Sequence, residues 1–429
     1  MSDKENIDNI THLNQMKEWS WEEEPEQETP SAPEPEEQPE AADEETKPES
    51  EHTTKHSGLI KKITIFTIVV LLVSTVVAVA VMSDGFNTDT LRRWVKYMSM
   101  NPDDQQTYSF DSHSSNRYGN FDNGLAVASV SGLNIYDSNG NLHYQVQQQM
   151  ELPRLICRGN LAMTYDVGGH TLTAIHRRNG KTMQLDEKRP ILDADLSADG
   201  YIALSTSESG YKSVLAVYGP NQKLIYRWLS STTYIPLCAV SSDGKYLAAV
   251  GLGQQGGTFE SSLYIFKTDS ESVQKTVSLG SDLIYDVIFL DKGTICAIGE
   301  NSAQFFTNQG EPLASYSYHG NYLKDFDDNG EGFLALSLNM YKAGNRYTLI
   351  TVDEKGNELA SNYLGQEILS LSACGKYVAV LTPEGLTIYT PSLSVYHHTE
   401  HTGNATSVVM RDDGSVLLLG GGQGKLYIP

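Results

Sequence analysis

The sequence predicts an all-β domain. The expected fold is a β-propeller of eight four-stranded blades with N-/C-terminal strand closure, preceded by one transmembrane helix and a disordered acidic tail. Three observations carry this. Past residue 107, short apolar runs of period two are broken by Gly, Asn and Asp, the signature of half-buried strands joined by tight turns. A polar turn with glycine followed by an apolar strand recurs eight times, centred on Gly124, Gly159, Gly200, Gly244, Gly293, Gly332, Gly375 and Gly414. The intervals of 35, 41, 44, 49, 39, 43 and 39 residues are those of a four-stranded blade. Finally, eight units of about 41 residues need about 328, and residues 107–429 supply 323.

Taken from the N-terminus, residues 1–58 hold 18 Asp/Glu against 4 Lys, a net of −14 out of −23 for the whole chain. From Glu22 to Glu51 no aliphatic residue is larger than Ala, so the segment cannot bury enough surface to offset chain entropy. It reads as a disordered, self-repelling cytoplasmic tail. Ile7, Ile10, Leu13 and Met16 recur every three residues ahead of Trp19 and Trp21, a spacing that suits a short amphipathic docking motif for a cytosolic partner.

Residues 59–82 are expected to span a membrane. Ile63 to Met82 is a run of twenty uncharged residues, thirteen of them Leu, Ile, Phe or Val, and helical rise over twenty residues matches the hydrocarbon core. Ala78-Val79-Ala80 resembles a signal-peptide cleavage site, but the long acidic segment ahead of it and the length of the run argue against one. Lys61 and Lys62 abut the N-terminal end, whereas Arg92, Arg93 and Lys96 begin ten residues beyond the other. The expected topology is therefore a cytoplasmic N-terminus and an extracellular C-terminal domain. Residues 83–105 form a juxtamembrane linker. Thr88 or Asp89 caps a helix whose Leu91, Trp94, Val95 and Met98 share one face before Pro102. That stripe suits either the membrane surface or the globular domain.

Residues 106–429 hold the propeller. A second turn follows each centre, as at Tyr136-Asp-Ser-Asn-Gly-Asn, Arg178-Asn-Gly-Lys and Asp353-Glu-Lys-Gly-Asn, so strands A and B share one tight turn and C and D another. The last unit stops after its third strand, Lys425 to Ile428, and the open edge calls for a borrowed strand, for which Gln106 to Phe110 is the candidate. The stretches Glu208-Ser-Gly-Tyr-Lys-Ser-Val-Leu-Ala-Val-Tyr and Val240-Ser-Ser-Asp-Gly-Lys-Tyr-Leu-Ala-Ala-Val, with the acidic tail and the span, resemble a bacterial family. Its members are membrane-anchored WD40-like or PQQ-like propeller proteins catalogued only as a domain of unknown function. The resemblance covers residues 59–429 and implies a Gram-positive cell-surface protein; it carries over no catalytic residue. The Trp-Asp dipeptide of WD40 repeats is missing, and the four Trp lie at 19, 21, 94 and 228, away from any blade-by-blade pattern.

Searching for chemistry yields little. No zinc-protease, nucleophile-elbow or phosphate-loop pattern is present, and Cys157, Cys238, Cys296 and Cys374 are too far apart for a metal cluster or a disulfide framework, so buried free thiols and no cofactor are expected. Asp325, Asp327 and Asn329 match the start of a calcium loop, although position twelve is Leu336 rather than Glu. Asp193, Asp195 and Asp199 are a weaker version, and His397, His398 and His401 lie close in sequence. The long B–C connections, Ser207–Lys212, Gly251–Ser262 and Asn339–Arg346, present Tyr211, Lys212, Phe259, Glu260, Tyr341, Lys342 and Arg346, aromatic and charged residues suited to a partner surface. The 371 residues after the tail carry only −9 and no basic stripe, which speaks against nucleic acid. The expectation is a non-enzymatic binding or scaffolding module for a protein or cell-wall ligand. The alternative is a glycan hydrolase or lyase, which requires at least two carboxylates to converge near the axis.

Overall fold

The computed structural model describes residues 56–82, 93, 95–98, 107–176, 182–186, 189–290 and 293–429. The expectations for the acidic tail up to residue 55, for the Arg178–Lys181 turn and for most of residues 83–105 lie outside these. Helix α1 runs from His56 to Met82. Its side chains are described from 62 to 75, with Ile65, Phe66 and Leu71 exposed, and among the described residues no helix is long and apolar enough to cross a membrane.

Eight four-stranded antiparallel sheets follow one another along the chain. In blades 1 to 7 the strands run from A, on the central channel, outward to D. Blade 3, for example, comprises Ile191–Leu196, Ile202–Glu208, Tyr211–Tyr218 and Leu224–Ser230. Blade 8 takes Ser407–Met410, Val416–Gly420 and Gln423–Tyr427 from the C-terminus and Thr107–Ser109 as its outer strand. Tyr108 stands opposite Gly424, and Phe110 N donates to Gly422 O at 2.9 Å beyond the ladder. The ring is closed by pairing its two ends, which removes the open edge.

Burial follows strand position. The B strands lie between two neighbouring blades, and several are buried along their whole length, as in Leu161–Asp166, Phe333–Asn339 and Tyr377–Thr382. Such strands read as continuous apolar runs. The D strands on the rim alternate, as in Pro312–Ser317 and Glu358–Tyr363. The core is a series of seams between blades; one joins Ile288, Cys296 and Ile298 of blade 5 to Leu334, Leu336 and Ile350 of blade 6. Seven of the eight repeat glycines adopt positive φ in the A–B turn. Gly124 is the exception. There Asp122 and Asn123 take the left-handed conformation, and Gly124 is required because a Cβ would meet Tyr136 O at 2.1 Å.

A second set of contacts fastens the inner strands to one another. Asp193 Oδ2 accepts Cys238 N and Asp195 Oδ2 accepts Val240 N, both at 2.9 Å, from blade 3 to blade 4. Asp327 Oδ2 accepts Ala373 N at 3.0 Å from blade 6 to blade 7, and Ser370 and Ser372 Oγ accept Val408 N and Met410 N from blade 7 to blade 8. Acceptors two residues apart on one strand thus bind amides two residues apart on the next.

One expectation needs correction. The B–C connections of blades 3 and 4 are not long loops: strands continue to Glu208 and Gln255 and restart at Tyr211 and Thr258, leaving two-residue turns. Gly251, read as part of a loop, is a packing glycine within the strand, where a Cβ would meet Tyr264 at 2.6 Å and Thr233 at 2.7 Å. Of the three, blade 6 keeps an extended connection, residues 340–346. In the segment before the ring, Arg93 and residues 95–97 are helical; the two stripe residues described, Val95 and Met98, are 63 and 66 % exposed, while Arg93 is 3 % exposed. Arg93 Nη1 donates to Asp413 O at 3.1 Å and Nη2 to the Tyr396 hydroxyl, and Tyr97 OH donates to Asp413 Oδ2 at 2.8 Å, a carboxylate also held by Lys96 Nζ. The basic side faces blade 8.

Candidate functional site

Strand direction puts the B–C turns and the D–A connections on one face of the ring. Tyr211 and Lys212 begin strand C of blade 3, Phe259 and Glu260 lie at the start of strand C of blade 4, and Tyr341, Lys342 and Arg346 occupy the 340–346 loop of blade 6. All seven sequence-predicted residues therefore share a face, on blades 3, 4 and 6. Lys342 Nζ stands 5.7 Å from the Tyr322 ring centroid and Arg346 stands over Tyr341 at 5.9 Å. Glu260 Oε1 accepts Ser278 Oγ at 2.6 Å. Two aromatics were missed because they begin inner strands and look like core in the sequence: Tyr234 on blade 4 and Tyr285 on blade 5. With them, Tyr211, Tyr234, Phe259, Tyr285 and Tyr341 form a set on four consecutive blades, each between 38 and 49 % exposed.

The second feature is the axial channel, a cavity of about 870 Å³ lined by inner strands and A–B turns of all eight blades. Asp193, Asp195, Asp286, Asp327 and Asp328 converge on it with Arg154 and Arg158. Water touches parts of the Asp193, Asp195, Asp286 and Asp327 carboxyls, yet the narrow bore shields them, so desolvation dominates their titration. Burial raises Asp193 and Asp286, and their mutual repulsion raises Asp286 further. Asp327 is pushed up to about 6 by burial and by Asp328. Burial also carries the Cys157 and Cys374 thiols up to about 12. Asp193 Oδ1 accepts the Tyr165 hydroxyl at 2.7 Å, while Asp286 Oδ1 accepts the amide of Val287 at 2.8 Å.

The metal candidates take other roles. Asp325 and Asp327 lie on strand A of blade 6, Tyr322–Asp327, rather than in a loop; Asp325 accepts the Leu371 amide, and Asp327 Oδ1 accepts Asn329 N at 2.8 Å. Asp193 and Asp195 sit on an inner strand, away from the exposed A–B turn that holds Asp199. His397 hydrogen-bonds Tyr427 OH at 2.5 Å and His398 hydrogen-bonds Thr387 Oγ1 at 2.9 Å, so each is engaged by its own neighbour. Among the described residues no three His, Cys, Asp or Glu side chains are arranged to hold a metal ion. All four cysteines are free, Cys238 and Cys296 buried, Cys157 and Cys374 half-buried.

Eight radial sheets around one acidic channel, closed by a shared blade, define the protein as an eight-bladed β-propeller. The chain belongs to a family of unknown function, DUF5711, whose sequence profile matches residues 97–419. Among solved structures, the C-terminal WD40 domain of Sif2 is similar at 12% identity, over 76% of this chain and 97% of that one, with a TM-score of 0.51. BamB from Moraxella catarrhalis is similar at 13% identity over 75% and 95% of the two chains, with a TM-score of 0.45. Identities this low speak to the fold alone. No curated protein matches the sequence.

Proposed function

We propose that the protein is a membrane-anchored, extracytoplasmic binding or scaffolding module that engages a protein ligand through the B–C face of blades 3 to 6 and catalyses no reaction. The observation that carries this is the exposed aromatic set Tyr211, Tyr234, Phe259, Tyr285 and Tyr341, accompanied by Lys212, Lys342 and Arg346. Aromatic rings beside cations on a rigid frame supply large contact area at small entropic cost. Anchoring rests on the uncharged run from Ile63 to Met82, orientation on Lys61 and Lys62, and a Gram-positive cell-surface setting on the resemblance of the sequence.

Affinity capture with the full chain tests the reading. Charge reversal at Lys212, Lys342 and Arg346 together with Tyr211→Ser and Phe259→Ser should lower retention of the captured protein at least ten-fold. Equal retention by the variant overturns the face assignment. Protease added to intact cells should cleave the ring side and spare the tail, and the opposite pattern overturns the orientation. The convergence of Asp193, Asp286 and Asp327 on the channel supports a second reading, a glycan hydrolase or lyase with Asp286 as proton donor. Glycan cleavage lost in Asp286→Asn would favour it. Against it, Asp193, Asp195 and Asp327 already accept amides of the next blade.

A further inference from the structure

One side chain crosses the mouth of the channel on the A–B face. Arg158 ends strand A of blade 2, Pro153–Arg158, and its Nη2 donates to Asp328 Oδ2 at 2.6 Å. Its Nη1 donates to Asn329 Oδ1 at 2.6 Å and to Asp328 Oδ1 at 3.3 Å. Asp328 and Asn329 belong to the A–B turn of blade 6. In a ring of eight, blades 2 and 6 face each other across the axis, so this contact spans the bore, whereas the amide clips join neighbours. The guanidinium meets the carboxylate with both arms, the geometry that makes such pairs specific. Both side chains are largely shielded from bulk water, 22 and 14 % exposed. Adjacent blades are already fastened by apolar seams and by amide clips, so ring closure does not depend on this pair.

We propose that the Arg158–Asp328 pair is a removable bar across the axial channel that governs entry from the A–B face to the carboxyl-lined interior. Opening it requires only that one long side chain and one turn part, with every blade left in place. Cys157, next to Arg158 in the chain, and Cys374 at the end of strand A of blade 7 lie on the channel wall and report on entry.

Ellman's reagent applied to the full chain at pH 8, with each site followed by peptide mass, reads the bar directly. Arg158→Ala and Asp328→Ala should each speed modification of Cys157 and Cys374 at least ten-fold. The exchanged pair, Arg158→Asp with Asp328→Arg, should return the rate to within about three-fold of the native one. Raising sodium chloride from about 0.05 to 1 M should speed labelling of the native chain, since screening weakens a part-exposed pair, and should leave Arg158→Ala unaffected. Unchanged rates in both single variants overturn the proposal. So does a fast exchanged pair, which would assign the effect to packing, or an equal gain in Arg227→Ala, which breaks a rim ion pair outside the channel. Where a single variant fails to fold, the salt dependence of the native chain decides.

Discussion

Carboxyl groups in this ring divide by their surroundings. In the channel, burial lifts Asp193, Asp286 and Asp327 above the ordinary 3.8, with Asp327 at about 6. At the edge of blade 8, burial would also lift Asp413, but Lys96 and the Ser415 donors outweigh it and hold the group at about 2. The signs oppose each other. A channel carboxyl binds its proton more tightly in the folded state, so its contribution to stability is complete below about pH 4 and is lost as pH rises through about 6 at Asp327, and higher at the Asp193–Asp286 pair. Asp413 contributes above about pH 4 and loses its share as pH falls toward 2. Thermal melting should therefore peak between about pH 4 and 5 and fall by pH 8; a melting temperature that climbs from pH 5 to 8 contradicts the desolvation argument. Asp413→Asn removes the anion that Lys96 and Tyr97 share. It should cost about 2 kcal/mol in denaturant unfolding, less than a fully buried pair would, because the Lys96 side chain is one-third exposed.

At the scale of elements, the closing strand is the most exacting. Tyr108 is fully buried, packs edge-on to Tyr136 at 6.0 Å and donates its hydroxyl to Ser138 O at 3.1 Å. Tyr108→Ala should cost about 3–5 kcal/mol, read as a lower urea midpoint; a change below about 1 kcal/mol would mean that the ring holds without its borrowed strand. This element was legible in the sequence because an unfinished last repeat demands a partner, and Gln106–Phe110, just upstream of the first complete repeat, was the candidate to supply it. Blade number was legible for a similar reason: each A–B turn needs glycine or a left-handed residue, and that demand repeats. The B–C hairpin of blade 4 was misread because glycine serves two masters. Gly256 and Gly257 turn the chain, whereas Gly251 makes room for Tyr264 and Thr233, and composition does not separate the two. The Arg158 bar left no local trace, since its partners stand 170 and 171 residues away. The clips that employ Asp193 and Asp327 imitate a metal loop in sequence, for both uses place acidic side chains at alternate positions.

At the scale of the whole molecule, most of the charge of −23 belongs to the first 58 residues, and the ring, only mildly acidic, brings Asp193, Asp195, Asp286, Asp327 and Asp328 together in the bore. Its two faces differ accordingly: one carries aromatic rings and cations, the other a channel mouth closed by an ion pair. The strand that closes the ring is the first described along the chain and pairs with the last described, Gln423–Tyr427, and long-range pairing of this kind is slow. The grip of Arg93, Lys96 and Tyr97 on the turn at Asp413 lies upstream of that strand. Any pull arriving along the N-terminal segment meets this grip before it reaches Thr107–Ser109. The contact acts as strain relief, as a cable clamp spares a soldered joint, and it leaves the three-residue ladder to close the ring without also bearing a load from the segment upstream.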